Sequence, residues 1–432
     1  MTTPHHHRHH HEDMLNVEEA KKQILEVFYP LELVDLPILE SLNLVLGQDI
    51  VSTLNIPPLD NSAMDGYAVI SSDLDCLKLN NPIYLRVIGQ IAAGQFSRLT
   101  VTQGTTVRIM TGAMLPEGAN AIIPFEETTE SDSKPIEVDN KSIGIKNTTQ
   151  PGAFIRKAGG DISMGDTVFK KGELIRSSTI GVLASLGLSK VTVHRRPLVA
   201  ILSTGDELLN PGESNEPAKI YDSNISGLAA AVIQAGGVPQ IIGIAKDNIA
   251  SIEEKLANAV HSDLVISSAG VSKGDYDIVK DVLSSHGQLQ FWSVRMRPAK
   301  PLAFGFLDRE DISKVPFLGL PGNPVSAHVA FEQFCRPAIR KMMGKQSLDR
   351  PTIQAQLEDK IDNYDGRRVY ARVKVRKVGN DFIAKTTGLQ DSNILTSMAS
   401  ANGLAICPEF DESKLPGDTV TVIMLDWPED TL

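Results

Sequence analysis

The sequence predicts a multidomain α/β and β protein, and three observations carry that prediction. The chain has 432 residues, enough for roughly two to four domains. Between residues 197 and 343, apolar runs of strand length alternate with helical patterns, which predicts a doubly wound, largely parallel sheet. Short alternating runs broken by Gly, Pro and Asn predict β domains at 82–149 and again at 346–432.

Composition and charge argue against several classes of protein. Hydrophobic residues make up 42% and charged residues 22% of the chain, an ordinary mixture for a soluble globular protein. The formal net charge of -11 argues against nucleic acid as the main partner. No apolar run approaches the roughly 20 residues of a membrane helix, and the N-terminus has no apolar signal core. Cys76, Cys335 and Cys407 form no metal-spaced pair and fit a reduced, cytoplasmic setting.

The first thirteen residues differ in composition from the rest of the chain. They hold six of the ten histidines. We interpret residues 1–13 as a disordered, tag-like tail that takes no part in the fold. Adventitious metal binding by these histidines is the alternative interpretation.

Helical patterns follow the tail. Asn16 and Glu19 match a capping box and predict a helix that runs to about Val27. Pro37 fits the first turn of a second helix, which would carry three leucines at helical spacing and end at Gly47. A third, short apolar helix is predicted between residues 178 and 188.

These helices cannot bury their apolar faces alone, so we expect them to pack together as an elongated helical stem. The segment between them then forms an inserted β domain. The predicted organisation is a tail at 1–13, a helical stem at 14–54 and 150–190, an inserted β domain at 55–149, an α/β domain at 191–345 and a C-terminal β domain at 346–432.

The predicted elements of the last two domains can be placed in order. In the α/β domain we expect strands at 198–202, 238–244, 264–266, 289–296, 302–306 and 317–320, and helices at 225–234, 249–260 and 325–343. Gly236 and Gly237 fit the end of the first of these helices. In the C-terminal domain, strands at 352–357, 369–378, 382–387, 403–407 and 419–425 predict a small barrel or sandwich.

The segment 263–277, DLVISSAGVSKGDYD, carries the clearest functional pattern. A buried strand leads into a small-residue loop with Ser272 and Gly274, followed by the carboxylates Asp275 and Asp277 and then a helical pattern. Small residues and a helix N-terminus allow backbone N–H groups to approach an anion. Carboxylates at the same place make sense when a divalent cation lies between them and the oxyanion. The alternative is a helix cap without a ligand.

Four other strand ends carry similar residues: 203–207 (STGDE), 220–224 (IYDSN), 295–301 (RMRPAKP) and 320–324 (LPGNP). The carboxyl ends of strands in a doubly wound sheet form one ligand-binding edge, so we expect these loops to converge. Carboxylates would then hold a cation while Arg and Lys neutralise the remaining oxyanion charge. Two alternatives stay open. The carboxylates could cap helices, at Asp206, Glu207 or Asp222, and the basic turn could be a solvated surface loop.

Eight motifs in this order resemble the MoeA-type molybdopterin molybdenumtransferases, a family that includes the E domain of gephyrin. The motifs are PPLDNSAMDGYA (57–68), VRIMTGAMLPEGANAIIP (107–124), AGGDI (158–162), STGDEL (203–208), IYDSN (220–224), AGVSKGDYD (269–277), MRPAKPLAFG (296–305) and LPGNPVSA (320–327). Each motif is weak alone, but their joint order is specific. The resemblance covers nearly the whole chain after the tail, and it implies a MogA-like α/β domain and a C-terminal β-barrel-like domain.

The resemblance implies a reaction and an assembly. Members of the family insert molybdenum from molybdate into adenylylated molybdopterin and release AMP, with Mg²⁺ as the usual divalent cation. They are homodimers in which the cleft lies between the α/β domain of one subunit and parts of the other. A contact with a molybdopterin adenylyltransferase is implied as well. The protein then positions substrates and neutralises charge, and no nucleophilic side chain is required.

The resemblance also implies residue roles. Glu207, Asp222 and Asp277 match the acidic positions, as metal ligands and catalytic residues, and Asp65 is a further catalytic candidate from the stem region. The substrate-binding candidates are Arg297, Lys300, Thr111, Asp161, Ser272, Gly274, Arg368 and Ser392, with Arg367 as the alternative to Arg368.

The chain departs from the family pattern at three places. Ala269 and Ala299 stand where the family commonly has glycine, and Asp391 and Asn393 flank Ser392 in place of a glycine pair. The acidic set is retained, which favours an active enzyme over a non-catalytic molybdopterin-binding or scaffold protein of the same fold. Use of tungstate or a related pterin is a weaker alternative.

Overall fold

The computed structural model describes residues 14–78, 81–132, 142–269, 282, 285–309 and 313–427. The chain forms two compact units. The smaller comprises Gln48–Glu173 and Ser177–Lys190, and the larger comprises Met1–Gly47, Leu174–Arg176 and Val191–Leu432. The predicted five-part domain division stays a prediction.

A five-stranded sheet forms the centre of the smaller unit. In spatial order its strands are Ala121–Pro124, Gly66–Val69, Thr105–Ile109, Ile83–Ile91 and Ser142–Ile145. Apolar residues alternate along them, so one layer buries Tyr67, Leu85 and Ile123 while the other buries Ala68, Val107 and Ile122. The β pattern predicted for this region is confirmed.

Short elements complete the smaller unit. Two strand pairs join Ile50–Val51 with Thr167–Phe169, and Asn61–Ser62 with Ile155–Arg156. The predicted apolar helix is present as Ser177–Ser185. Three 3₁₀ turns lie at Ser71–Leu74, Phe125–Glu127 and Thr129–Asp132. The segments predicted as a helical stem therefore contain strand pairs as well as helices.

The predicted N-cap at Asn16 is confirmed in the larger unit. The helix spans Val17–Glu26, and the Glu19 backbone N–H donates to the side-chain oxygen of Asn16 at 2.7 Å. Val17, Ala20 and Ile24 lie on the buried face of this helix. Their three- and four-residue spacing places them on one side of the helix.

The second predicted helix, from Pro37 to Gly47, is wrong. Pro37 ends the strand Leu33–Pro37, which pairs with Lys190–His194, and a series of turns follows. Asn43 adopts a positive φ of 63°, which a helix does not accommodate. Leu39 is 76% exposed whereas Leu46 is fully buried in extended backbone, so the leucines do not share one helical face.

A six-stranded sheet forms the α/β part of the larger unit. Its spatial order is Val238–Ala245, Leu198–Thr204, Leu264–Ser268, Lys314–Leu320, Pro301–Asp308 and Gly287–Ser293. The first four strands are parallel and the last two are antiparallel to their neighbours. Ala200 and Leu202 pack against Ile252 and Leu256 of a helix, which covers one face of the sheet. The predicted doubly wound, largely parallel arrangement is confirmed.

The helices of this part also match the prediction. They span Asn224–Ala235, Ile249–Ala259, Pro324–Ala330 and Arg336–Met342, with the last two joined by a π-helical turn at Phe331–Cys335. Gly236 ends the first helix in the left-handed conformation, with φ of 102°.

The C-terminal part is a closed five-stranded barrel, which decides between the two predicted architectures. Its strands are Thr352–Leu357, Arg368–Val378, Asp381–Thr386, Gly403–Cys407 and Thr419–Met424. The second strand pairs with both the third and the fourth, and this closes the ring. A short helix spans Leu395–Ser400.

Two short strands connect loops near the barrel and the α/β sheet. Met296–Arg297 runs parallel to the start of the barrel strand Arg368–Val378, so the basic turn of the α/β part is held against the barrel. Leu208–Leu209 pairs in parallel with Ile220–Tyr221.

None of the helices in the described ranges is long and apolar enough to cross a membrane.

Candidate active-site cleft

The predicted loops converge on one cavity of about 920 Å³ in the larger unit, hereafter the cleft. Its walls come from the ends of the α/β strands and from two loops of the barrel. The lining includes Gly205, Glu207, Asp222, Asn224, Asp247, Ser268, Ala269, Arg297, Lys300, Pro321, Asn323, Tyr364, Arg367, Asp391, Ser392 and Asn393. Carboxylates and cationic side chains therefore share one concave surface in a chain of net negative charge.

Glu207 and Asp222 are lining residues of the cleft that we call its acidic wall, and Glu207 is exposed to solvent. The preceding turn depends on Gly205, whose φ is 150°. A Cβ atom at Gly205 would lie 2.5 Å from a carboxylate oxygen of Glu207. Only glycine therefore leaves room for the Glu207 carboxylate in its present place.

Asp222 is 4% exposed, and its two carboxylate oxygens have different environments. Oδ1 accepts hydrogen bonds from the backbone N–H groups of Asn224 at 2.8 Å and Ile225 at 3.1 Å. Oδ2 has no hydrogen-bond partner among the described residues. One oxygen thus caps the helix Asn224–Ala235, as the alternative interpretation predicted, while the other retains its acceptor capacity.

The predicted metal set cannot be assembled from the described residues alone. Within these residues, no three His, Cys, Asp or Glu side chains come together as a metal site requires. The third predicted ligand, Asp277, lies outside the described residues, as do Ser272 and Gly274. The metal assignment therefore stays a prediction.

Arg297, Lys300 and Arg367 are the cationic lining residues that we call the basic wall of the cleft. A barrel loop holds the side chain of Arg297. Its guanidinium carbon lies 4.1 Å from the ring centroid of Tyr364. One guanidinium nitrogen donates to the backbone oxygen of Asp362, and another lies 3.9 Å from the carboxylate of Asp365. Lys300, three residues further on, lines the same cleft and is exposed.

Ala269 and Ala299, where the resemblance led us to expect glycine, both adopt positive φ. Ala269 has φ of 81° and Ala299 has φ of 75°. The glycine-type backbone is therefore kept at both turns despite the presence of a side chain. An L-residue in this conformation costs roughly 1–2 kcal/mol relative to the right-handed region.

Arg367 lines the cleft, whereas Arg368 is turned toward other carboxylates. The Arg367 guanidinium donates to Asp365, and the barrel loop is fixed by that pair. Arg368 pairs with Glu18 of the N-terminal helix and lies 3.6 Å from Glu409. Of the two arginines that the sequence left open, the geometry thus brings Arg367 to the cleft.

The pKa of Asp365 depends on opposing effects. Burial alone would raise the pKa of this carboxyl group, but the hydrogen bonds from Arg367 and the charges of Arg367 and Arg297 hold it below its usual value. Asp365 is therefore ionised and balances the two arginines on this wall.

Ser392 lines the cleft within a loop that is fixed at both ends. Its backbone oxygen accepts from the N–H of Val325, at the start of the helix Pro324–Ala330. On the barrel side, the loop wraps around Arg372, which is 1% exposed. The Arg372 guanidinium donates to the backbone oxygens of Leu389 at 3.2 Å, Gln390 at 2.9 Å and Asp391 at 3.0 Å.

Arg372 holds a loop that lines the cleft, and the sequence analysis missed it. Its Nε also donates to the Ser397 hydroxyl at 3.0 Å, and burial lowers the pKa of its guanidinium to about 10. The residue lies inside a strand that reads only as alternating apolar and polar positions. Arg372 shares the alternation phase of Lys374 and Arg376, which are exposed, so the sequence pattern gives no sign that it is buried.

Asp247 is a second cleft residue that was missed. Its backbone N–H and carboxylate exchange hydrogen bonds with Asp206, each at 3.2 Å, which joins two adjacent strand-end loops. Asp247 follows the strand Val238–Ala245 at the sheet edge. The expectation that loops at the carboxyl ends of the strands meet at one ligand-binding edge therefore holds for the loop with Asp247 as well.

Asp65, Thr111 and Asp161 lie in the smaller unit. The Asp65 carboxylate accepts from the backbone N–H and the hydroxyl of Thr111. Those hydrogen bonds, the backbone one first, hold the pKa of Asp65 below its usual value. Asp161 is exposed, and its backbone N–H donates to the oxygen of Ile56.

Comparison with family profiles covers most of the chain. Residues 15–187 match the MoeA N-terminal region (domain I and II), residues 200–341 match a probable molybdopterin binding domain, and residues 354–425 match the MoeA C-terminal region (domain IV). Molybdopterin molybdenumtransferase 2 of Mycobacterium tuberculosis H37Rv is 38% identical over 404 residues, covering 92% of this chain and 96% of that protein. The chain belongs to the MoeA family. The family predicted from the eight motifs is thereby confirmed.

Further MoeA relatives agree over similar lengths. A molybdopterin molybdenumtransferase of Haemophilus influenzae is 33% identical over 423 residues, covering 95% of this chain and 98% of that protein. A crystal structure of a molybdopterin biosynthesis MoeA protein from Pyrococcus horikoshii superposes with a TM-score of 0.80 at 30% identity, covering 96% of this chain and all of that one. The predicted placement in an enzyme family of molybdenum cofactor biosynthesis is confirmed by these relatives.

Proposed function

We propose that this chain is a molybdopterin molybdenumtransferase that inserts molybdenum from molybdate into adenylylated molybdopterin and releases AMP. One observation carries the proposal: Glu207, Asp222, Arg297 and Lys300 line the same cleft in a member of the MoeA family. The relatives with similarity over nearly the whole chain bear this enzyme name. The cleft volume of about 920 Å³ suits a ligand of nucleotide size.

Cationic side chains supply the oxyanion-binding wall. Arg297 and Lys300 offer N–H donors to molybdate and phosphate oxygens, and Arg367 adds a third cation. A barrel loop already holds Arg297, so little reorganisation is required when an anion binds. Ser392 adds a neutral hydroxyl to the lining of the same cleft.

The acidic wall fits a divalent cation. Asp222 Oδ2 is a buried acceptor without a hydrogen-bond partner among the described residues, and Glu207 lies on the same surface. Carboxylate oxygens are the ligands that Mg²⁺ prefers. We assign Glu207, Asp222 and Asp277 as its ligands. When bound, the cation would neutralise charge on the pyrophosphate link and assist its cleavage.

The remaining site residues belong to the proposed assembly. We propose a homodimer in which Asp65, Thr111 and Asp161 of one subunit complete the cleft of the other. Ser272 and Gly274 would offer backbone N–H groups to a phosphate. We further propose that the protein acts in the cytoplasm and receives adenylylated molybdopterin from a molybdopterin adenylyltransferase.

AMP release tests the function. The purified protein is mixed with adenylylated molybdopterin, Mg²⁺ and molybdate, and AMP is quantified by chromatography. We expect molybdate-dependent AMP release by the wild type and a loss of at least about 100-fold in Asp222→Asn, because an amide offers a weaker, neutral ligand oxygen. Glu358→Gln, in an exposed ion pair of the barrel, is the control. A wild type that binds the pterin but releases no AMP would instead be a scaffold protein.

A further inference from the structure

Tyr364 is an exposed aromatic residue on the wall of the cleft. The residue is 79% exposed, the largest exposed fraction among the large hydrophobic and aromatic side chains of the described ranges. It lies in the loop that precedes the barrel strand Arg368–Val378, and it lines the cleft. An aromatic ring this exposed gains little from packing in the free protein.

One face of the Tyr364 ring is covered by a cation. The guanidinium carbon of Arg297 lies 4.1 Å from the ring centroid, which is a close cation–π contact. The same guanidinium donates to the backbone oxygen of Asp362 and lies 3.9 Å from the Asp365 carboxylate. Ring and guanidinium are thus fixed by one loop, and the high exposure of the ring leaves its other face open.

An aromatic ring with one open face is suited to a flat ligand. Nucleobases stack on aromatic side chains, and alanine substitution at such a contact typically weakens binding by about 10-fold or more. A ring that is already held by an arginine loses little further conformational freedom when the ligand stacks on it. The oxyanion wall formed by Arg297 and Lys300 lies in the same cleft, so a phosphate attached to a flat ring has a binding group for each part.

We propose that Tyr364 is a stacking platform for a flat, nitrogen-rich bicyclic ring of the substrate, held in place by Arg297. This inference rests on the proposed function, whose substrate contains two such rings, an adenine and a pterin. The shared chemistry is a planar heteroaromatic ring joined to a phosphate.

Paired ligands isolate the contribution of the ring. Affinities of the full-length protein for AMP and for ribose 5-phosphate are measured by isothermal titration calorimetry in the presence of Mg²⁺. The ratio of the two affinities reports the adenine contact, because the ligands share the sugar phosphate. A parallel pair, 6-carboxypterin and acetate, reports the pterin contact.

Three variants give the comparison. We expect Tyr364→Ala to lower the affinity for AMP or for 6-carboxypterin by about 10-fold. The affinities for ribose 5-phosphate and acetate should not change. Tyr364→Phe keeps the ring and should keep the affinity. Tyr29→Ala is the matched control, since Tyr29 is 69% exposed and contacts a cation, Lys341, but lies outside the cleft lining. The ligand whose affinity falls, AMP or 6-carboxypterin, shows whether adenine or the pterin stacks on Tyr364.

Two results would overturn the platform. Unchanged ratios for both ligand pairs in Tyr364→Ala would show that no ring stacks there. An equal loss for AMP and ribose 5-phosphate would show that Tyr364 acts only by positioning Arg297. The AMP-release assay of the wild type is independent of these ratios. If the wild type releases no AMP but Tyr364→Ala loses affinity only for a ring-containing ligand, the transferase proposal fails and the platform stands. If the wild type releases AMP normally but the affinity ratios do not change in Tyr364→Ala, the platform fails and the transferase proposal stands.

Discussion

The carboxylate of Asp65 accepts two hydrogen bonds from Thr111, one from its backbone N–H at 2.6 Å and one from its hydroxyl at 2.7 Å. Two family motifs that are separate in sequence are joined by this contact. The pair fixes the Asp65 carboxylate in its ionised form, because both donors favour the charged state.

Thr111→Val should weaken this arrangement without changing the side-chain volume. The Asp65 pKa is depressed in the wild type, so its contribution to stability is present above the pKa of the unfolded chain, near 4, and is lost as the pH falls through the folded value. We expect the variant to be less stable by about 0.5–1 kcal/mol at pH 7. Urea unfolding of both proteins at pH 7 and at pH 3 measures the difference. A difference that stays constant between the two pH values would contradict the linkage to Asp65.

Glu130 is predicted to stabilise the smaller unit through a buried network. It accepts from the Tyr67 hydroxyl at 2.5 Å and from the Arg108 guanidinium at 2.8 Å. Burial, together with this hydrogen bond, raises the pKa of Tyr67. Glu130→Gln leaves the Arg108 charge without its buried partner and should destabilise the protein by about 3 kcal/mol.

The matched control for that substitution is Glu358→Gln, at an exposed ion pair with Arg376. Solvent screening leaves an exposed pair of this kind with little effect on stability. Thermal unfolding should separate the two variants clearly. Similar midpoints for both would mean that the Glu130 network contributes no more than a surface pair.

Ala299→Gly should stabilise the protein, because Ala299 has φ of 75° in the basic turn. Relief of the left-handed strain outweighs the extra backbone entropy of glycine, and we expect a gain of about 0.5–1 kcal/mol. Ala230→Gly, at an exposed position of the helix Asn224–Ala235, is the opposite case and should cost about 1 kcal/mol. Chemical denaturation measures both. Equal destabilisation by the two substitutions would refute strain at Ala299.

Arg372 is predicted to hold the Ser392 loop in place. Arg372→Lys keeps the charge but cannot reach the carbonyls of Leu389, Gln390 and Asp391 with the same planar set of donors. We expect a loss of stability of about 2 kcal/mol, since buried acceptors remain unsatisfied. Because the loop carries Ser392, the KM for molybdate should rise by a larger factor than kcat falls. A stability loss with unchanged KM would limit Arg372 to a structural role.

Much of this fold follows from local patterns in the sequence. Asn16 as N-cap and Gly236 as helix stop predicted their helix ends, because both depend on residues within one turn. The predicted helix after Pro37 failed because the spacing of three leucines was taken as a helical face. Long-range pairing with the strand Lys190–His194 decided the conformation there instead, and spacing along the chain does not report such pairing.

The candidate site was predictable to a similar extent. The rule that loops meet at strand ends placed Glu207, Asp222 and Arg297 on one surface, and it also applies to Asp247, which was missed. Arg372 was missed for a different reason, since its role depends on three carbonyl oxygens of another segment. Backbone acceptors carry no sequence pattern. The choice between Arg367 and Arg368 likewise required the position of Glu18, 350 residues away from Arg368.

The most direct test of the shared cleft is the molybdate dependence of AMP release in Arg297→Ala. Arg297 lines the same cleft as Glu207 and Asp222, and its removal takes away guanidinium donors while those carboxylates remain. We predict that the molybdate concentration for half-maximal AMP release rises by at least about 10-fold, equivalent to one charge-assisted hydrogen bond of about 1.5–3 kcal/mol. Arg376→Ala, on the exposed barrel surface, should behave as the wild type. An Arg297→Ala protein with an unchanged molybdate dependence would contradict the account.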